Sequence, residues 1–237
     1  MRSRKDVISV LVPVMNEVES LRKTVDIIRA DSPKVDFEFI IMLSPHSSEP
    51  AVANAMSLQR NELRNCSVIV QKYPGLGGAY AHAIEVARGN YILMIASDLE
   101  TDPNLVKNMI AKSREFPDAI ITTTRWKGDS AGFASYGKTK KILNYVFQKW
   151  ISLLYRTELT DYTFGFRLYP NQALSETKWQ TTNFAFLLES ILVPIRRGFR
   201  AIEIPHYWRP REEGRSNNQV RFLIDYFKIA IKIRKSK

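Results

Sequence analysis

The chain has 237 residues, 45% hydrophobic and 25% charged, enough to bury the core of one large domain and too apolar for a disordered or collagen-like chain. Its one cysteine, Cys66, excludes a disulfide-stapled secreted fold and a Cys-rich zinc module, and favours a reducing, cytoplasmic compartment. The net charge of +11 sits in one half: residues 1–110 hold 12 Lys/Arg against 13 Asp/Glu, whereas residues 111–237 hold 23 against 11. Such an excess suits an anionic ligand, a nucleic acid or an anionic membrane face.

Taken in chain order, residues 1–6 are charged, but the apolar stretch behind them contains Pro13 and runs into Asn16-Glu17. No signal peptide is expected there. Residues 7–12 (VISVLV) read as a buried strand, and Val18, Leu21, Val25 and Ile28 recur at helical spacing over residues 17–30. The apolar runs 37–43, 67–70, 91–96 and 119–124 predict further strands. Helical stretches at 49–63, 78–87 and 104–116 fall between them. Regular alternation without a long linker means βαβ units and a mostly parallel sheet covered on both faces. Ligands of such sheets bind beyond the carboxyl ends of the strands. Asn16-Glu17 and residues 44–48, 75–78 and 98–102 should therefore share one rim.

The second half is less regular. Residues 138–155 predict a helix with Leu143, Val146, Phe147, Trp150 and Leu154 on its apolar face; 184–196 predict another helix, and 201–204 a strand. Residues 210–218 read as a polar loop. The expected division is a main domain over 1–219 and a basic amphipathic helix over 220–237. In that helix Val220, Leu223, Ile224, Phe227 and Ile231 form an apolar stripe, widened by Phe222, Ile229 and Ile233, beside Arg221, Lys228, Lys232 and Lys235. No run of about 18 apolar residues occurs, so no transmembrane helix is expected.

The strongest local motif is SDLETDP at 97–103, directly after a buried strand. Asp98 and Glu100 could both reach one hard divalent cation, Mg²⁺ or Mn²⁺, which takes carboxylate oxygens and shares its remaining positions with phosphates. Asp102 or Thr101 caps the helix opened by Pro103. Gly75-Leu76-Gly77-Gly78 follows a strand and opens a helix, yet Tyr80 replaces the third glycine of G-x-G-x-x-G, and backbone geometry explains the turn as well as a phosphate cradle does. His46 and His82 have no second ligand at metal spacing, His206 reads as packing, and Glu189 as a buried partner for an arginine.

Five motifs in order resemble glycosyltransferase family 2, most closely the dolichol-phosphate mannosyltransferase and polyprenyl-phosphate glycosyltransferase branch. They are VLVPVMNEVESL (10–21), GLGGAYAHAIEVARGNYILMIASDLETDPNLV (75–106), DYTFGFRLY (161–169), Glu189 and REEGRS (211–216). The resemblance implies a nucleotide-sugar-binding α/β fold of GT-A type and inverting transfer of one sugar to a lipid phosphate. By position it implies that Pro13, Asn16, Glu17 and Ser97 touch the donor and that Asp98, with Glu100, binds the metal. It further implies that Arg125 lies near the phosphates, and that Arg211, Gly214 and Ser216 belong to a loop closing over the donor. Lys138, Arg167 and Asp161 are expected toward the acceptor phosphate, Asp161 and Arg167 alternatively as an ion pair that shapes the site. Three positions depart from the family pattern: Ala96 replaces an acidic residue, Leu43-Ser44 an acidic pair, and Met15 an aromatic residue.

The chemistry is coherent with that resemblance. Cleaving a sugar–diphosphate bond leaves a dianion that cations stabilise, and an ionised phosphate acceptor needs positive side chains more than a general base. The expected partners are a nucleotide-sugar, a lipid phosphate, a membrane surface and a membrane-anchoring subunit. The expected site of action is cytoplasmic, peripheral on the cytoplasmic membrane face. A family relative acting on a glycan acceptor, and a degenerate binding module without catalysis, are the alternatives. No zinc finger, RNP-like motif or other recognised module supports nucleic acid.

Overall fold

A computed structural model describes residues 7–127, 138–206 and 223–236. Among these residues seven strands form one sheet: β1 (Val7–Val14), β2 (Asp36–Leu43), β3 (Cys66–Val70), β4 (Tyr91–Met94), β5 (Ile120–Thr124), β6 (Arg167–Pro170) and β7 (Ala201–Pro205), in the order β3-β2-β1-β4-β6-β5-β7. All pair in parallel except β6, which runs antiparallel to both β4 and β5. Strand order reverses between β1 and β4, which pair in parallel with Leu11 opposite Met94.

The helices are α1 (Glu19–Asp31), α2 (Glu49–Ser57), α3 (Gly75–Val86), α4 (Val106–Glu115), α5 (Lys138–Tyr155), α6 (Asn171–Leu174), α7 (Phe186–Arg196) and α8 (Leu223–Lys235). Alternate residues of the central strands feed the two faces. Val10 and Val12 pack with α1, α2 and α4 on one side; Leu11 packs with α3, α5, α7 and α8 on the other. This double burial explains why β1 and β2 read as unbroken apolar runs.

The doubly covered, mostly parallel sheet agrees with the expectation from the sequence, and four details differ. β6 was not predicted: it has only four residues, starts on an arginine and ends on a proline, so no period shows. The 49–63 stretch divides into α2 and a π-turn over Leu58–Glu62. The predicted apolar face of α5 meets the core only in part, through Phe147 and through Trp150 packed against it. Phe147, Gln148 and Ile151 are buried, while Leu143 and Val146 are each 58% exposed. On α8 the buried side is Tyr226, Ile229, Ala230 and Ile233, two of which widened the predicted stripe, while its residues Ile224 and Ile231 point outward and Phe227 lies at the edge, its ring against Phe147 and Trp150. Both helices carry apolar residues on two sides, and periodicity cannot say which side the domain takes. Residues 220–222 lie outside the described residues.

At the amino edge of the sheet, Glu38 ties β2 to β1 and β4. Its carboxylate accepts from Ser9 Oγ at 2.6 Å, from the Arg88 backbone N–H at 2.9 Å and from Arg88 Nε at 2.8 Å. Ser9 Oγ in turn accepts from the Gly89 N–H. Burial pushes the Glu38 carboxyl up, but the bonds from Ser9 and Arg88 outweigh it and hold the group below its usual range. A depressed carboxyl contributes stability that is present above its unfolded pKa of about 4.3 and lost as pH falls through the folded value. Glu38→Gln leaves buried donors short of an acceptor and should cost about 1–3 kcal/mol at pH 7. Urea titrations from neutral to acid pH should show the difference between wild type and variant shrinking below the unfolded pKa; a difference constant through acid pH would show that the charge is not what stabilises.

Candidate active site

The crevice beyond β1 and β4 is where an open parallel sheet with reversed strand order binds ligands. Here Ser97 Oγ donates to the Pro13 carbonyl at 2.9 Å, joining the two strand ends. Glu17 folds back so that one carboxylate oxygen accepts from the Met15 N–H (2.7 Å) and the Asn16 N–H (3.0 Å), closing the turn and leaving Asn16 exposed. Beyond β2, Ser47 Oγ donates to Val14 O and accepts from the Ser44 N–H, while the Ser48 N–H donates to Met15 O. Leu43-Ser44, where the resemblance has acidic residues, thus opens a serine-locked loop against β1. Pro13, Asn16, Glu17 and Ser97 lie together on this rim.

The 98–102 turn sits beside them. Asp98 is buried to 7% exposure, and one of its oxygens accepts from the Glu100 N–H at 3.1 Å. Leu99 between them takes φ +58°, a left-handed conformation that a leucine holds only when its surroundings impose it. Those surroundings are visible. Thr101 Oγ1 donates to Ala96 O, Asp102 caps Asn104 at 3.0 Å, and the Asp102 N–H donates to His206 Nε2 at 3.0 Å. His206 is itself held by the rings of Phe164 and Phe166, at 5.0 and 5.9 Å between centroids. Among the described residues no three His, Cys, Asp or Glu side chains gather as a metal cluster. Asp98 and Glu100 are the carboxylates directly after β4, and a hard cation held by two carboxylates would share its remaining positions with phosphate oxygens.

A second cluster closes the far side. At the end of β5, Arg125 grips Asp161 with two bonds, Nε to Oδ2 at 2.7 Å and Nη2 to Oδ1 at 2.9 Å, and Nη2 also reaches Thr163 Oγ1. The guanidinium lies 4.8 Å from the centre of the Phe164 ring, and the Arg125 and Asp161 side chains are 10% and 0% exposed. Glu203 of β7 supports the pair from below by accepting from the Thr160 and Asp161 N–H groups and from Thr160 Oγ1, with Lys127 Nζ at 3.0 Å. From α5, Gln148 donates to Thr163 and accepts from the Tyr162 N–H.

Two expected acceptor contacts are corrected by this geometry. Asp161 pairs with Arg125 rather than Arg167, and its buried carboxylate faces that cation, so it does not contact a phosphate. Arg167 is 0% exposed; its guanidinium donates to Thr122 Oγ1, Tyr169 Oη, Ser190 Oγ and the carbonyls of Leu187 and Tyr162. It staples the interior under the rim, beyond reach of a surface ligand. Lys138 is exposed at the start of α5. Arg211, Gly214 and Ser216 lie outside the described residues.

The glycine turn has a packing explanation. Gly75 takes φ +73° with the Thr182 carbonyl against it, and a Cβ on Gly77 would stand 2.6 Å from Phe186 Cβ. The Gly78 N–H at the head of α3 donates to Thr182 O at 3.1 Å. Tyr80 stacks on Phe186 with centroids 5.9 Å apart. Glu189, expected to partner an arginine, accepts instead from the Gln180 and Thr181 N–H groups and Thr181 Oγ1, bracing the loop that α3 abuts. Burial raises its carboxyl above the ordinary range despite those bonds. His206, Glu203 and Gln148 were missed as positioning residues. The signal for Glu203 was a lone polar residue amid apolar neighbours, in AIEIP; Gln148, beside Lys149 in VFQKW, carried none.

Seven mostly parallel strands, with carboxylates and a held arginine around the strand-order reversal, define an α/β protein of the GT-A class. The sequence profile of glycosyl transferase family 2 matches residues 9–177, and the chain belongs to that family. It is 24% identical over 211 residues to glycosyltransferase AglD of Haloferax volcanii, covering 86% of this chain and 33% of that protein. It is 27% identical over 128 residues to the undecaprenyl-phosphate 4-deoxy-4-formamido-L-arabinose transferase of Shewanella sediminis, covering 53% and 39%. The chain thus spans little more than a third of these relatives' length. Glucosyl-3-phosphoglycerate synthase of Mycobacterium tuberculosis, solved with UDP, shares the fold at TM-score 0.69 and 14% identity over 98% of this chain and 81% of that one. The same enzyme solved with Mn²⁺, UDP and phosphoglyceric acid gives 0.70 and 12%, over 98% and 80%.

Removing one partner of a buried, hydrogen-bonded ion pair strands the other, at a cost of about 3–5 kcal/mol. Asp161→Ala should lower stability by that much in urea titrations. Arg125→Lys, which cannot span Asp161 and Thr163 with a planar fork, should lose a large part of it. Stability within about 0.5 kcal/mol of wild type for both would show that the cluster is dispensable to the fold.

Proposed function

We propose that this chain transfers a sugar from a nucleotide-sugar to a polyprenyl-type lipid phosphate, with inversion at the sugar carbon and dependence on Mg²⁺ or Mn²⁺. The observation that carries this reading is the braced 98–102 turn, which sets Asp98 and Glu100 beside the β1 rim in a family 2 fold. Asp98 and Glu100 would hold the cation, which when bound offsets charge on the donor diphosphate. Pro13, Asn16, Glu17 and Ser97 would line the nucleotide, joined by Ser216. Arg125 and Arg211 would stabilise the developing charge of the leaving group, and Lys138 would draw in the acceptor phosphate.

An acceptor phosphate oxygen attacks the anomeric carbon from the face opposite the nucleoside diphosphate. As the new C–O bond forms, the bond to the diphosphate breaks and its electron pair leaves on the diphosphate oxygen. Attack from the opposite face gives inversion, and the ionised acceptor has no proton to surrender. The relatives support this acceptor class: one is named for an undecaprenyl-phosphate substrate. A lipid acceptor puts the enzyme at a membrane surface. No helix among the described residues is long and apolar enough to cross one; attachment of this domain by a face of the protein or by a partner subunit is part of the reading.

Thermal-shift titration with nucleoside diphosphates, with and without Mn²⁺, should raise the melting midpoint only when both are present. Transfer from labelled nucleotide-sugars to a short isoprenyl phosphate should then follow the nucleotide that stabilises. Asp98→Ala should retain the wild-type circular dichroism spectrum and lose about a thousandfold in kcat, several kcal/mol of transition-state stabilisation. Full turnover by the folded variant would refute the site. Arg211→Ala should lower kcat by about a hundredfold or more with the melting midpoint unchanged; unaltered kcat would remove Arg211 from the catalytic set.

A further inference from the structure

Ten large hydrophobic side chains are exposed among the described residues, and eight of them lie on α5 and α8. On α5, Ile142, Leu143, Val146 and Leu153 are 63%, 58%, 58% and 79% exposed; on α8, Ile224 and Ile231 are 61% and 42% exposed. Single exposed apolar residues need no explanation, but a concentration on two elements marks an interaction surface.

The two helices lie side by side. Phe227 sits at the seam with its ring 5.0 Å from Phe147 and 4.9 Å from Trp150. Further along, Tyr155 Oη donates to Ala230 O at 2.7 Å and Arg234 Nε to Leu154 O at 3.0 Å. Contacts that advance together along both chains mean that α5 and α8 run parallel. Their inner faces enter the core through Phe147, Ile151, Tyr226, Ile229, Ala230 and Ile233. The outward apolar residues are therefore surplus to the fold.

Exposed basic residues interleave with them: Lys138, Lys140 and Lys149 on α5, and Lys228, Lys232 and Lys235 on α8. The only carboxylate described on either helix is Asp225, whose Oδ2 accepts from Asn183 Nδ2 at 2.7 Å. A face combining aliphatic and aromatic residues with lysines, and almost without acidic groups, matches a bilayer interface bearing anionic headgroups: the apolar residues enter the acyl boundary and the lysines stay with the phosphates. A protein partner of ordinary surface would leave most of those lysines unmatched.

We propose that α5 and α8 together form the surface by which this protein docks on an anionic membrane. The surface adjoins the active-site rim. Across α5 from the exposed residues, Gln148 bonds Thr163 and Tyr162 of the Arg125–Asp161 cluster. Trp126, next to Arg125, packs 5.4 Å from Tyr145 at the patch edge. The inference rests on the lipid-phosphate reading for its purpose, though not for its observations. A docked α5 would hold the acceptor side of the site at headgroup depth, where a lipid phosphate lies.

The test is co-sedimentation of the full chain with phosphatidylglycerol-rich and with pure phosphatidylcholine vesicles, no substrate present. Wild type should bind the anionic vesicles about tenfold more tightly or better. Leu143→Glu with Val146→Glu, and separately Ile224→Glu with Ile231→Glu, should each weaken binding by about tenfold or more, since both helices enter the interface. Lys149→Gln with Lys228→Gln, which leaves the apolar residues in place, should weaken binding to anionic vesicles alone by about fivefold per lysine. That pair also answers the question if a glutamate variant loses its native circular dichroism. Transfer to a water-soluble short isoprenyl phosphate, measured without vesicles, should be unchanged in the lysine variant. Loss of transfer by wild type in that assay would overturn the acceptor reading and leave the docking result standing. No vesicle binding by wild type, binding indifferent to the α5 changes, or a dimer in solution that the α5 changes disperse would each overturn the proposal.

Discussion

The reversed strand β6 is the constraint on which the rest of the site depends. β4, β5 and β7 all end at the rim, and β6, lying antiparallel between β4 and β5, has to start there. The segment leading into it, from Thr160 to Phe166, is thereby delivered among the strand ends that carry the 98–102 turn and Arg125. A parallel strand in the same slot would enter from the opposite edge and take this segment away. The Arg125–Asp161 pair, its support by Glu203 and the rings that hold His206 against the 98–102 turn all follow from that one reversal. They unite carboxylates that β4 provides with a cation that β5 provides.

How much of this was legible in the sequence depended on whether local pattern or long-range contact decided each feature. Val7–Val14 and Asp36–Leu43 declare themselves because burial on both faces leaves no polar interruption. Asp102 could be read as a cap because Pro103 follows it, and its bond to the Asn104 N–H is made within the same turn. Arg167 could not be read. The residue type suggests a phosphate ligand, and only the arrival of Thr122 from β5, Tyr162 from the loop before β6, and Leu187 and Ser190 from α7 makes it an interior staple. Asp161 was placed in the right neighbourhood with the wrong partner, since nothing in DYTFGFRLY says that an arginine 36 residues earlier in the chain will meet it.

Interior staples and surface cations divide the basic excess of the second half into two populations. Arg167 is consumed by the fold, matched by hydroxyls and carbonyls, and Arg125 is held at the edge of the site by the Asp161 carboxylate. The lysines of α5 and α8 remain at the surface beside apolar side chains that the core does not use. Formal charge alone treats these as one feature, and for that reason it could not tell a phosphate ligand from a membrane face or a nucleic acid.

The head of α3 completes the argument about where phosphate binding has to come from. A glycine turn between a strand and a helix in an α/β protein invites the reading that backbone N–H groups and the helix dipole cradle a phosphate. Here the chain itself has taken that position. Thr182 O accepts from the Gly78 N–H, Phe186 presses on Gly77, and the residue breaking the dinucleotide pattern, Tyr80, is a stacked core ring. Glu189 fixes the same loop from behind through its bonds to Gln180 and Thr181. With Gly77 and Gly78 buried against protein, the proposed site would meet charge on a donor diphosphate at the β1–β4 crevice, through a cation on Asp98 and Glu100 and through side chains rather than a helix end. The proposed role would account for the bracing of the acidic turn: a carboxylate that is to hold a divalent cation against phosphate has to be fixed before the ion arrives, and the left-handed Leu99 is a backbone state that only firm surroundings impose.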